Sequence, residues 1–338
     1  MVIEDFHIIR IRDLAWSFSI YEKYNIELID LRNQMLDEIV KIKSVVVDNE
    51  EILRLKSLGK DELYGAIAYY PWLQKAFLLI EEEEFVFLRT ARNRNKIDTY
   101  QQEILKGKTI GIVGLSVGFS VLKGIVLERL CSEIRIADFD KLSISNLNRL
   151  PFGIKDINVE KTVLAYRWIL ELDPFMSVIT YDKGIDSSNI DSFFNDGNGI
   201  DLVIDECDTG LVKLLLRLEA RKKQIPLLME TSDRGLLDIE DYRYVQRIFH
   251  GLILESEIDT LLHSGNQDVL MRFIDLEQVS KEGLDSYKEI GKTLDTWPQL
   301  GGDVMYGGAT ATIVARKLLL GNPLPSGRYF LDITERLS

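Results

Sequence analysis

The sequence predicts an α/β protein built on a doubly wound, mostly parallel sheet and preceded by a small N-terminal helical region. Three observations carry this reading. Thr109–Val113 is a short, β-branched run of the kind that forms a strand covered on both faces. A glycine turn and an amphipathic stretch follow, and Glu133–Ala137 then reads as a second strand, closing a β-α-β unit. Beyond that unit, helix-like and strand-like segments continue to alternate, which is how a Rossmann-like sheet is wound. We divide the chain into residues 1–95, a helical region without an assigned role, and residues 96–338, the α/β domain.

From the start, Trp16 to about Leu58 reads as helical, because Leu28, Leu31, Met35, Ile39 and Ile42 recur at three- and four-residue steps among charges. His7 reads as a surface or packing residue. Tyr69–Trp72 and Phe77–Ile80 are packing aromatics and aliphatics, expected to dock this region on the main domain. The four acids Glu81–Glu84 form a solvated helix end or loop, and Arg89, Arg92 and Arg94 make a basic stretch ahead of the first core strand.

The turn after that strand is Gly114-Leu115-Ser116-Val117-Gly118, one residue short of the usual dinucleotide-binding spacing. Gly114, Ser116 and Gly118 still place small residues where the helix Leu115–Arg129 begins, so its free N–H groups can approach a phosphate. The same turn would serve as a plain βα connection. Asp138 and Asp140 follow the second strand at the carboxyl edge of the sheet, where a carboxylate can accept from ribose hydroxyls. Asn158 is the expected N-cap of a helix Val159–Leu172, which puts Lys161 in the first turn, a position that asks for an anionic partner. Met176–Tyr181, Asp201–Glu206 and Pro226–Met229 read as strands and Leu211–Gln224 as a helix, with Asp208 at a carboxyl strand end. From Asp238 to Gly291 the pattern loosens. Trp297–Gly302 then leads into Gly307–Leu320, a helix rich in small residues suited to close packing or dimer formation, and Arg328–Ile333 reads as a final strand.

Composition narrows the function classes. With 338 residues the chain exceeds the usual size of one domain, and no apolar run reaches the length of a membrane span. Met1–Asp13 is charged and has no signal-peptide core, and two cysteines, Cys131 and Cys207, suit a reducing cytoplasm. The net charge of −13 argues against general nucleic-acid binding, which needs a basic face.

The string DFDKLSISNLNR at Asp138–Arg149, directly after the glycine-turn unit, resembles the signature of the ThiF/MoeB/ubiquitin-activating enzyme superfamily of adenylating enzymes. Lys161, the IDECD strand end Ile204–Asp208 and IPLLMETSDRG at Ile225–Gly235 follow in the family's order, and the resemblance extends over roughly residues 90–338. It implies ATP and Mg²⁺ as cofactors, and adenylation of a carboxylate, typically the C-terminus of a ubiquitin-like or sulfur-carrier-type protein. It further implies that Arg149 and Lys161 clamp phosphates, that Asn146 and Asn148 donate near them, that Asp140 holds ribose and that Asp208, rather than Asp205, holds Mg²⁺. Arg92 or Arg94 would serve the neighbouring subunit of a homodimer. A nitroreductase-like partner is a further implication, since some relatives are fused to one. The sequence departs from many relatives in having no cysteine after Cys207 and no zinc-binding pairs, which argues against a downstream thioester step. Two other readings share the β-α-β unit: a nucleotide-binding sensor or scaffold that has lost the transfer step, and an NAD-dependent oxidoreductase, which predicts neither the SNLNR loop nor Lys161.

Overall fold

The computed structural model describes residues 6–11, 26–44, 49–275 and 277–337. They divide into two compact units, one reaching Thr99 and including Leu170–Phe175, the other comprising Tyr100–Ile169 and the chain from Met176 onward. Among the described residues, no helix is long and apolar enough to cross a membrane.

The first unit contains strands β1 (His7–Arg10) and β2 (Glu27–Asp30), helices α1 (Arg32–Lys43) and α2 (Asn49–Leu58), strands β3 (Ala66–Tyr70) and β4 (Lys75–Leu79), and helix α3 (Glu82–Thr90). The periodicity that predicts helices is realised in α1 and α2, where Leu36, Ile39 and Leu55 pack with Tyr64, Ile80 and Phe85. Trp16, from which that reading starts, lies outside the described residues. A helical region is an incomplete description, because a four-stranded sheet ordered β1-β3-β4-β2 is also present. Its strands have only four or five residues, too few to display an alternating pattern, and the stretches read as packing aromatics fall largely on β3 and β4. The acidic run opens α3, where negative charge complements the helix dipole.

The second unit begins with α4 (Thr99–Lys106), β5 (Thr109–Val113), α5 (Gly118–Glu128), β6 (Glu133–Ala137), α6 (Lys161–Leu172) and β7 (Ser177–Tyr181). It continues through α7 (Ile190–Asn195), β8 (Leu202–Asp205), α8 (Gly210–Lys222), β9 (Pro226–Thr231) and β10 (Leu236–Asp241). Helices α9 (Glu255–Leu262), α10 (Asn266–Phe273), α11 (Lys281–Glu289) and α12 (Gly301–Leu319), strand β11 (Gly327–Phe330) and helix α13 (Ile333–Leu337) complete it. The seven strands run β11-β10-β9-β8-β5-β6-β7. Strands β9, β8, β5, β6 and β7 are parallel, and β10 and β11 extend the edge in antiparallel fashion. The chain moves outward from β5 to β7, then returns to lay β8 on the other side of β5. That reversal opens a crevice at the carboxyl ends of β5 and β8.

Every residue of β5 is buried, as expected for a central parallel strand. Helix α6 begins at Lys161, not at Val159: Asn158 has a φ of 68° and donates its N–H to the Leu142 carbonyl, so it closes a left-handed turn instead of capping the helix. The small residues of α12 are used within the chain. A Cβ on Gly308 would lie 2.6 Å from Ser120 Cβ and 2.7 Å from the Ser120 carbonyl carbon, so α12 crosses α5 with the two backbones nearly touching.

The antiparallel edge is tied to the parallel sheet by charge. Arg217 of α8 has no exposed surface; its NH1 donates to Asp205 of β8 at 2.5 Å and its Nε to Glu240 of β10 at 2.5 Å. The guanidinium also stacks 4.1 Å from the centre of the Phe249 ring. Glu240 in turn accepts from the Tyr242 hydroxyl and the Phe249 N–H, so one buried network spans two strands, a helix and the segment after β10.

Two substitutions test this packing. Gly308→Ala should lower the free energy of unfolding in urea by about 1–3 kcal/mol, whereas Gly302→Ala, with no heavy atom within 4 Å of the added methyl, should be neutral or mildly stabilising. Arg217→Ala leaves Asp205 and Glu240 buried with fewer partners and should cost about 3–5 kcal/mol in the same measurement.

Candidate active site

The glycine turn lies at the bottom of the crevice. Gly114 has a φ of 90°, and a Cβ there would come within 2.5 Å of the Glu206 carbonyl carbon and 2.8 Å of the Cys207 nitrogen. Only glycine lets the β5 turn and the β8 turn approach this closely. Gly118 is the first residue of α5, with the Glu206 side chain over it, and Ser116 is presented between them.

Asp138, at the end of β6, fastens the turn: its carboxylate accepts from the Leu115 N–H at 2.7 Å and from the Asp140 N–H at 2.7 Å. Burial holds the Asp138 carboxyl above its usual range despite the opposing effect of nearby Lys161. Lys161 is buried, and its Nζ lies 2.8 Å from Asp140 and 3.8 Å from Asp138. The anion demanded at this helix start is therefore supplied by the protein's own carboxylates. The Asp140 side chain is half-exposed, and it is the more accessible member of the trio.

The SNLNR loop forms a short 3₁₀ turn, Ile144–Asn148, whose start is capped by Asn146: its Oδ1 accepts from the Ser143 N–H at 3.1 Å. Arg149 reaches back to the glycine turn, donating from Nε to Ser116 Oγ at 3.0 Å, and its NH1 donates to Asn148 Oδ1 at 2.8 Å. Burial lowers the Arg149 pKa from its usual value, with the guanidinium remaining a cation. Asn148 Nδ2 donates to the Gln299 carbonyl at 2.6 Å, and a Cβ on Gly301 would lie 2.6 Å from the Asn148 carbonyl oxygen. The Trp297–Gly302 stretch thus closes one side of the site, a role its position far along the sequence does not announce.

Asp208 is exposed at the carboxyl end of β8, and Asp205 is buried in ion pairs with Lys213 and Arg217. Of these two aspartates, Asp208 is the one accessible from solvent. A second acidic cluster, Asp238, Glu240 and His250, has ligand-like spacing. Arg328 and His250 engage Asp238, while Arg217 and Tyr242 engage Glu240, which makes this trio an ion-pair network. Arg92 and Arg94 are exposed in the turn segment 91–97 of the first unit. Cys131 is buried, and burial pushes the Cys207 thiol well above its usual range, which makes it a poor nucleophile.

Asp208 also borders a cavity of about 350 Å³, together with Val117 of the glycine turn, Gln299, Glu206 and Glu230. Glu206 accepts from the Glu230 N–H at 2.9 Å, and neither carboxyl oxygen of Glu230 has a hydrogen-bond partner. Burial pushes Glu230 up to about 8, and burial with Glu230 alongside also raises Glu206 well above its usual range. This acid pair was not legible in the sequence, since only the β8–β9 register brings the two glutamates together.

Residues 90–233 match the ThiF family. An uncharacterized protein of Mycobacterium tuberculosis is 38% identical over 275 residues, covering 80% of this chain and 38% of that protein. The tRNA threonylcarbamoyladenosine dehydratase of Bacillus subtilis is 28% identical over 139 residues, 41% of this chain and 54% of that enzyme. The chain therefore spans between 38% and 54% of the length of these curated relatives. Among solved structures, the E. coli tRNA N6-threonylcarbamoyladenosine dehydratase in complex with ATP is similar in fold, with a TM-score of 0.51 at 15% identity over 70% of this chain and 95% of that one.

The acid pair has a thermodynamic signature. A Glu230 carboxyl raised from its usual 4.5 to about 8 binds a proton in the folded state that the unfolded state has already released. Its contribution is fully present below pH 4.5 and is lost as pH rises through about 8. Glu230→Gln should therefore lose less thermal stability than the wild type between pH 5 and pH 8; melting curves that shift in parallel would refute the linkage.

Proposed function

Because residues 90–233 form a ThiF-family domain, we propose that this protein uses ATP and Mg²⁺ to adenylate a carboxylate. The observation that supports it best is the convergence of Arg149 on Ser116 of the glycine turn, with Lys161 and Asp140 at the neighbouring strand end. In this reading a carboxylate oxygen bonds to the α-phosphorus of ATP as the bond to the bridging oxygen of the β-phosphate breaks. Pyrophosphate leaves with that oxygen, and an acyl adenylate remains.

Negative charge spreads over the phosphoryl oxygens and the leaving group, so the protein's task is to hold fixed cations and donors. Gly114, Ser116 and Gly118 would let the start of α5 face the phosphates. Arg149 and Lys161 would carry the positive charge. Asp140 would exchange its pairing with Lys161 for ribose hydroxyls, which frees the lysine for phosphate at the moment the nucleotide enters. The Asn146 amide, whose oxygen closes its own turn, has N–H donors for the same oxygens, as has Asn148. Asp208 is the residue that would hold Mg²⁺, which supplies charge neutralisation of the triphosphate when bound. Arg92 or Arg94 would complete the site of a second subunit in a homodimer.

The family resemblance makes the C-terminus of a ubiquitin-like or sulfur-carrier-type protein the first candidate substrate. A thioester on this chain is disfavoured by the half-buried Cys207, whose thiol pKa lies well above its usual range. ATP–pyrophosphate exchange with a panel of carboxylates tests the reading. Arg149→Ala should reduce exchange by about 10³-fold or more, with ATP binding followed by calorimetry. ATP binding without exchange for every carboxylate would favour the sensor or scaffold role, and exchange untouched by Arg149→Ala would refute the assignment of that residue.

A further inference from the structure

We propose that the cavity bordered by Asp208 is an acyl pocket, which receives the compact apolar body of a small monocarboxylate whose carboxyl group lies at the Gln299 end. The proposal rests on the adenylating reading and narrows its substrate to a carboxylate bearing a ring-sized or branched apolar group.

Position is the first argument. Val117, Gln299 and Asp208 line the cavity, and Gln299 Oε1 lies 3.5 Å from Ser116 Oγ, which in turn accepts from Arg149. The cavity therefore opens beside the cluster that would hold the phosphates. Asp140, Arg149 and Lys161 do not line it. Nucleotide and cavity would be neighbours with a shared border, which is the arrangement that adenylyl transfer from ATP to a carboxylate needs.

The walls supply the second argument. At about 350 Å³ the space is of the size that encloses a small ligand. Leu236, Leu270, Phe273, Ile274, Trp297 and Phe330 give it an apolar surface drawn from β10, α10, the segments after α10 and α11, and β11. Both cations on the wall are ion-paired: Lys213 with Asp205 at 3.2 Å, and Arg328 through its Nε with Asp238 at 2.9 Å. Glu230, held near neutral by burial, adds little charge at pH 7. Glu206, Asp208, Asp233 and Asp275 also border the space, so a second anionic group on the bound molecule is disfavoured.

A tail ending in glycines carries no side chain to fill the space, and leaving apolar walls against trapped water is unfavourable. A phenyl or branched alkyl group removes that surface from water. Its carboxylate, kept out of the apolar space, faces the Ser116, Gln299 and Arg149 end.

Calorimetric titration of the intact protein with 3-phenylpropanoate and with N-acetylglycylglycine tests the proposal without requiring turnover. The expected result is that 3-phenylpropanoate binds roughly tenfold or more tightly than the glycyl probe. Leu270→Trp or Val279→Trp, each of which fills the cavity, should weaken it by a similar factor while ATP binding stays at the wild-type level. Two variants are used so that a folding defect in one, visible as lost ATP binding, does not decide the matter. Equal affinity for the two probes, no binding of 3-phenylpropanoate, or binding that both filling variants leave intact would overturn the proposal. Failure of the wild type to bind ATP would instead remove the adenylating reading, a result independent of how the two carboxylates compare.

Discussion

A guanidinium without access to water joins the two halves of the large sheet. Arg217 can be buried only because Asp205 and Glu240 meet it from β8 and β10 and an aromatic ring covers its face. Breaking one contact would strand charge in a medium that cannot solvate it, so the positions of α8, β8 and β10 are mutually dependent. The consequence reaches the site. With Asp205 consumed by the network and Glu206 turned onto the Glu230 N–H, Asp208 is the carboxylate presented beyond the strand end. Lys213, one turn before Arg217 on α8, is drawn to the same aspartate and becomes part of the cavity wall.

The reversal of strand order provides the second constraint. Two turns leave adjacent parallel strands in a space too narrow for side chains, and Gly114 accommodates the Glu206 backbone there. Around that contact the chain balances its charges internally: Lys161 rests on Asp138 and Asp140, and Arg149 rests on neutral oxygens of Ser116 and Asn148. In the adenylating reading, the cations are held near their places before a nucleotide enters, and the exchange of Asp140 from Lys161 to ribose is the main rearrangement left. The same crevice borders a cavity with largely apolar walls, which adjoins the cation-bearing region across Val117 and Gln299.

Much of the second unit could be read from local pattern. Thr109–Val113, Glu133–Ala137 and the amphipathic helix between them are short-range signals, and they appear at those places with small changes at the helix ends. The order Asp138, Asp140, Asn146, Asn148, Arg149, Lys161, Asp208 was likewise legible, because each residue follows a strand or opens a helix whose sequence signature is local. Asn158 was misread as a cap because its chemistry suits both a cap and a left-handed turn, and only the backbone's return to Leu142 selects the second. In the first unit, helical periodicity hid strands too short to alternate. Among the described residues of Asp238–Gly291, three short α-helices, a 3₁₀ turn and the end of β10 take the place of any long repeat.

By itself the sequence determined the α/β winding of the second unit, the glycine turn and the acidic and basic residues that follow its strands, since these depend on neighbours a few positions apart. The tertiary structure alone decided which carboxylates are buried and which are presented, that Lys161 faces Asp140, that Gln299 closes on Asn148 and that Glu206 lies beside Glu230. Those pairings join residues from 21 to 151 positions apart. Their partners are chosen by sheet register and chain reversal, and burial then sets the charge each group can carry.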